Sequence, residues 1–150
     1  MKFIRIFFVL IIFAVVGAIV SGFIVDNMIA SNIEAALNDI PVPQGTTIEA
    51  SISKAGKITT TDGGLQFYGA ILLQSTQGLG ALRSYYKSRQ PEGIDLDVIN
   101  LKDSKLMLGE NMPDDLRFSY RESNPSNCYI VYAWGEPQLP FTMFDIRSYT

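Results

Sequence analysis

Ile6-Phe-Phe-Val-Leu-Ile-Ile-Phe-Ala-Val-Val-Gly-Ala-Ile-Val-Ser-Gly-Phe-Ile-Val25 is the stretch on which the reading of this chain turns. It holds no charged residue, and fifteen of its side chains are Ile, Phe, Val or Leu. Twenty residues at ~1.5 Å each make a helix of ~30 Å, the thickness of a hydrocarbon core. At about −0.3 to −0.6 kcal/mol for each large apolar residue, the run favours bilayer insertion by about 5–9 kcal/mol. A helix packed at the surface of a globular domain would show a polar face, and this one has none. Residues 1–25 are therefore predicted to form a transmembrane anchor, with Ile6 and Val25 bounding the span.

The flanks set the orientation. Lys2 and Arg5 come before the run or at its edge, and Asp26 follows it. Basic residues are retained on the cytoplasmic side, so the N-terminus is expected in the cytoplasm and the rest of the chain outside it. A cleaved signal peptide is the rival reading, with Val16-Gly-Ala18 as its processing site. The apolar run continues past that point to Val25, which favours an uncleaved anchor. No cysteine follows the run, so a bacterial lipoprotein processing site is missing.

Next come residues 26–40, where Ile29, Ile33, Ala36, Leu37 and Ile40 recur at helical spacing among Asn32, Glu34, Asn38 and Asp39. This predicts a helical stalk, ended by Pro41 and Pro43. Its apolar stripe must be covered by the chain's own domain, a second copy or a partner. Ile29, Ile33 and Leu37 are thus candidate partner contacts, together with Leu139 and Phe141 in the Pro-flanked segment Glu136-Pro-Gln-Leu-Pro-Phe141.

Residues 41–150 are long enough for one hydrophobic core. In Thr46–Ser53, Ile48, Ala50 and Ile52 alternate with Thr47, Glu49 and Ser51, a strand pattern that places the three apolar residues on one face. Lys54-Ala-Gly-Lys57 and Asp62-Gly-Gly64 read as turns. Leu65–Ser75 is apolar on both faces, as a central strand would be. Thr76 can cap a helix running through Arg89, with Leu79, Leu82 and Tyr86 inward. Further strands are expected around Ile94–Val98, Leu116–Arg121, Cys128–Trp134 and Phe141–Tyr149, with a turn at Asn124–Asn127. The fold class is α+β: an N-terminal transmembrane helix followed by a mainly antiparallel sheet with one packed helix, since strands joined without helices pair as hairpins.

Composition limits the chemistry. The formal net charge is −3, and setting aside Lys2 and Arg5 leaves ten basic residues against fifteen acidic ones. An acidic domain repels phosphate backbones, so nucleic acid is not an expected partner. With no histidine, the commonest general base and a leading zinc ligand are missing. The one cysteine, Cys128, cannot form an intrachain disulfide and lies in an apolar run. Ser51–Lys54 and Ser84–Lys87 have Ser-x-x-Lys spacing but lack the companion elements of penicillin-binding enzymes. Asp95 and Asp97 share a strand face near Asp103 and are candidates for weak calcium binding or for carboxylate hydrolysis, although no Asp-x-Asp-x-Asp-Gly loop is present. Tyr68, Tyr85, Tyr129, Tyr132, Trp134, Phe141 and Phe144 either pack in the core or form a recognition patch.

Ala55-Gly-Lys-Ile58, Gly64-Leu-Gln-Phe-Tyr-Gly-Ala-Ile-Leu-Leu-Gln-Ser75 and Leu82-Arg-Ser-Tyr-Tyr86 together resemble segments of an uncharacterised family of small bacterial membrane-anchored extracytoplasmic proteins. That resemblance implies an envelope location and assigns no residue a catalytic role. The layout is also similar to that of type IV pilins, but Arg5 stands where their processing region has glutamate. The expected function is a membrane-anchored interaction or structural module of the bacterial cell envelope, not an enzyme. It would need no cofactor, and its partners would be membrane lipid and an envelope protein or a second copy. An extracytoplasmic ligand- or ion-binding sensory domain is the alternative.

Overall fold

The computed structural model describes residues 2–56, 66–103, 118 and 127–135; within its first helix, the side chains of residues 2–5, 18, 19, 21–23, 25 and 26 are outside the description. The described elements are α1 (Lys2–Asp39), β1 (Thr46–Gly56), β2 (Gln66–Ser75), α2 (Leu79–Lys87), β3 (Leu96–Asn100), a 3-10 turn at Leu101–Asp103 and β4 (Cys128–Gly135). The strands form one antiparallel sheet in the order β1-β2-β4-β3. The α+β expectation holds, and within the predicted central strand Gln66–Ser75 does supply an inner strand. Because β4 lies between β2 and β3, the path from β2 through α2 to β3 is a split β-α-β crossover.

The helix α1 runs unbroken for 38 residues, about 57 Å. Its two halves behave differently. Ile6–Phe13, Val15 and Val16 are exposed at consecutive positions, hence on every side of the helix, with Phe13 at 69%. From Ile29 onward burial is confined to one stripe, Ala30, Ile33, Leu37 and Ile40. Among the described residues no helix is long and apolar enough to cross a membrane, and the predicted span includes several positions whose side chains are not described.

Two helical segments, not one, cover the same face of the sheet. The stripe of α1 and Leu82 and Tyr86 of α2 share a core with Phe67, Ile71 and Leu73 of β2 and Val131 of β4. Ala30, Ile33, Leu37 and Ile40 are therefore part of the domain's core. Ile33 and Leu37, read as candidate partner contacts, are buried within this chain, and Ile29 packs partly against the same core. The reason is that a single apolar stripe on a helix is covered most directly by the sheet that follows it in the chain. Leu139 and Phe141 lie outside the described residues.

The opposite face is also buried, around Tyr68, Leu72, Ile99, Cys128 and Ile130, with Phe118 packed against it. Burial on both faces explains why β2 and β4 are nearly continuous apolar runs. Cys128 is a buried free thiol.

Several local expectations are corrected. A β-bulge lies between Ile48, which pairs with Leu73, and Ala50, which pairs with Leu72. The extra residue, Glu49, breaks the period-2 alternation. Ile48 then packs with the helix-side core and Ile52 with the opposite one, so they do not share a face. Lys54, Ala55 and Gly56 continue β1 instead of turning. The N-cap of α2 is Gly78, not Thr76, and the helix ends at Lys87. Thr76 is engaged elsewhere: its N–H donates to the Gly45 carbonyl at 3.0 Å. Gly45 has φ +74°, and a Cβ there would stand 2.5 Å from Thr76 Oγ1, so this turn into β1 needs glycine. The turn at Asp62–Gly64, the turn at Asn124–Asn127 apart from Asn127, and the strand at Phe141–Tyr149 fall outside the described residues, as does the Leu116–Arg121 strand apart from Phe118.

Candidate functional site: the helix–sheet junction and the exposed half of α1

The bulge at Glu49 decides what α1 meets on the sheet. After it, Ser51, Ser53 and Ala55 point to the helix side, opposite Ile71, Gly69 and Phe67. Ser51 Oγ donates to Glu34 Oε1 at 2.5 Å, and Ser53 Oγ donates to Glu34 Oε2 at 2.5 Å. One carboxylate thereby accepts from two successive inward positions of β1. Hydrogen bonds to an ionised acceptor are the stronger kind, and these fix the register of helix against strand. The helix can come this close because β2 has no side chain beneath it. A Cβ on Gly69 would lie 2.6 Å from Ile33 Cγ2 and 3.1 Å from the Glu34 backbone nitrogen. Sequence reasoning named Glu34 only as a polar residue of the stalk, and Ser51 only as a polar residue of the first strand and as half of a Ser-x-x-Lys pair. A glycine inside an apolar strand was the available signal for close backbone approach.

Just beyond α1 the chain is tied to α2. Tyr85 Oη donates to the Pro41 carbonyl at 2.8 Å, and the Arg89 guanidinium carbon lies 3.8 Å from the centre of the Tyr85 ring. The first bond ties α2 to the segment that follows α1.

The carboxylate pair does not gather a cation site. Asp97 Oδ1 accepts from Arg83 Nε at 3.1 Å, while Asp95 Oδ1 accepts from Lys87 Nζ at 2.5 Å. Arg83 also donates to the Val98 carbonyl at 2.7 Å. Each acid is thus neutralised by its own base from α2, in exposed pairs that contribute little to stability. Among the described residues no group of three or more Cys, Asp or Glu side chains could hold a metal ion. Of the Ser-x-x-Lys pairs, Ser51 is bound to Glu34 and Lys87 to Asp95.

The aromatics divide. Tyr68 is fully buried, with its ring 4.8 Å from Trp134 and 6.3 Å from Tyr132, measured between centroids. Trp134 and Tyr132 are only partly buried. Burial, with Tyr132 close by, pushes the Tyr68 phenol well above the usual tyrosine range. Burial also raises Tyr132, reinforced by the charge and hydrogen bond of Asp97. The Tyr86 phenol is pushed up to about 12 by burial and by neighbouring Tyr85. The Tyr68 and Tyr86 hydroxyls are buried without a hydrogen-bond partner among the described residues, so the folded state forfeits their hydration.

The remaining feature with functional content is the unpartnered N-terminal half of α1, whose large apolar side chains no described element covers. No family model matches the chain, and neither curated proteins nor solved structures compared with it are similar to it.

Proposed function

We propose that this protein is a single-pass, membrane-anchored interaction or structural module of the bacterial cell envelope, without catalytic activity, with its N-terminus in the cytoplasm and its sheet domain outside. The observation that carries the reading is the change along α1 from exposure on all sides to burial on one stripe. Large apolar side chains gain about 1.5–3 kcal/mol each on leaving water. A helix exposing them at consecutive positions needs an apolar surround, and one partner face would cover only part of its circumference. Lipid covers all of it. Lys2 and Arg5 orient such a helix with the domain away from the cytoplasm.

The interaction or structural role follows from what the domain offers. Ser51 and Ser53 are engaged with Glu34 at the helix–sheet contact, and Asp97 and Asp95 with Arg83 and Lys87 at the helix–strand contact. An ion-sensing role at Asp95 and Asp97 is disfavoured by the same pairings.

The test is fractionation with alkaline carbonate, combined with paired reporters fused after Thr150. The protein should stay with the membrane, and only the reporter that works outside the cytoplasm should be active. Release by carbonate, or activity of the cytoplasmic reporter alone, would refute the proposal.

A further inference from the structure

We infer that one end of the sheet rests against the lipid headgroups, with the chain's single tryptophan, Trp134, held at or just above the headgroups by the continuity of α1. The inference rests on the membrane reading above and adds a second lipid contact to it, made by the folded domain.

The helix is unbroken from the apolar run into the sheet, so no flexible linker separates the two. The level of the sheet above the bilayer is therefore set by counting along α1. Ile33 and Glu34 lie over Gly69, about 12–14 Å along the axis from residue 25, where the apolar run ends. The direction of the strands follows from the contacts at the other end. Tyr85 meets Pro41, and Thr46 donates its N–H to the Pro43 carbonyl and pairs with Ser75. Thus α1 and β2 run the same way, and the Gln66 end of β2 points back toward the membrane. Because β1 and β4 are antiparallel to β2, Gly56 pairs with Gln66 and Gly135 with Phe67 at that same end. Gly135 lies on the helix side of the sheet, since a Cβ on it would be 3.9 Å from Ile33 Cδ1.

From Gly69 to Gln66 the strand covers about 10 Å toward the bilayer. The sheet tip then stands only a few ångströms above the end of the hydrocarbon, within the headgroup layer of about 5–7 Å per leaflet. Trp134 pairs with Tyr68, one residue closer to the bilayer than Gly69. Its partly exposed indole therefore lies at or just above the headgroups, a region where tryptophan is enriched because one part of its ring system is apolar and another donates a hydrogen bond.

Since Trp134 is the only tryptophan, the intrinsic fluorescence of the full chain reports its depth directly. The protein is reconstituted in phosphatidylcholine vesicles with a minor share of phosphatidylglycerol. The vesicles carry a nitroxide either on the headgroup or near the end of the acyl chain, and they are floated on a density gradient. The protein should float, and the headgroup nitroxide should quench Trp134 at least about twofold more than the deep one. Protein that floats with Trp134 unquenched by either label would overturn the headgroup contact while leaving the anchor intact. Protein that fails to float would overturn the membrane reading itself. A variant with a short Gly/Ser linker inserted after Asn27 should float as well as the parent and lose the headgroup quenching. If it stays quenched, the continuity of α1 does not hold Trp134 there, and the inference fails.

Discussion

Ile33 of α1 rests directly on Gly69 of β2, so closely that a Cβ at Gly69 would lie 2.6 Å from Ile33 Cγ2 and 3.1 Å from Ile33 Cβ. The contact is backbone-like on both sides. The Ile33 methyl cannot swing clear without moving the branched carbon behind it, and the Glu34 amide stands equally close.

Gly69→Ala is accordingly expected to lift α1 from the sheet and to destabilise the domain by about 1–3 kcal/mol, the usual range for overpacking. Denaturant titration measures it. In an Ile33→Ala background the added methyl should cost markedly less, giving a coupling energy that a double-mutant cycle resolves. Equal costs in both backgrounds would show that Gly69 is needed for some other reason.

The Glu34 carboxylate joins α1 to β1 through Ser51 and Ser53. Glu34→Ala leaves two partly buried hydroxyls without their acceptor and should cost about 1–3 kcal/mol. Replacing Ser51 and Ser53 together with alanine in that variant should restore part of the loss, because no unmatched polar groups then remain. Thermal unfolding of the three proteins gives the comparison, and additive losses would count against the shared carboxylate.

Tyr86 makes stability depend on alkaline pH. Its phenol is raised from 10.0 to about 12 in the folded protein, so above pH 10 the unfolded chain loses this proton first. The stabilisation is complete below the unfolded value and is lost as pH climbs through the folded one. The melting temperature should therefore fall between pH 10 and about 12, with Tyr68 adding to the decline in the same direction. Tyr86→Phe should flatten part of that fall. At neutral pH it should be neutral or stabilising, since the hydroxyl it removes is buried without a partner among the described residues. A loss of stability at neutral pH would mean that the hydroxyl is satisfied in solution.

The bulge gives a counterintuitive expectation for deletions in β1. Removing Glu49 leaves Ile48 opposite Leu73 and Ala50 opposite Leu72 with no extra residue between them. The strand should pair as a regular ladder at a change of about 1 kcal/mol or less. Removing Ile52 instead shifts Lys54 into the place of Ser53, opposite Gly69 and beneath α1, and should abolish folding. Circular dichroism and thermal melts of the two deletions distinguish these outcomes.

Much of the architecture was legible residue by residue. Gln66–Ser75 and Cys128–Gly135 are nearly continuous apolar runs because both of their faces are covered, and such runs identify inner strands without knowledge of their neighbours. Leu79, Leu82 and Tyr86 mark the inward stripe of α2 by spacing alone. The reading failed where a local pattern was overruled from a distance. Ile48, Ala50 and Ile52 alternate as a regular strand does, and only the pairing with β2 reveals that Glu49 is extra. Thr76 has the chemistry of a helix cap but is occupied by Gly45, which lies 31 positions earlier in the chain.

What the amino-acid order by itself determined is the apolar run at Ile6–Val25, the basic flank before it and the periodicities of the inner strands, because hydrophobicity and spacing are properties of neighbouring residues. Only the tertiary structure decided that Ile33 and Leu37 are covered by this chain's own sheet, that one carboxylate joins Ser51 to Ser53, and which end of the sheet α1 holds nearest residue 25. Those outcomes depend on register, and register is settled by contacts such as Ile33 on Gly69 between residues far apart in the chain.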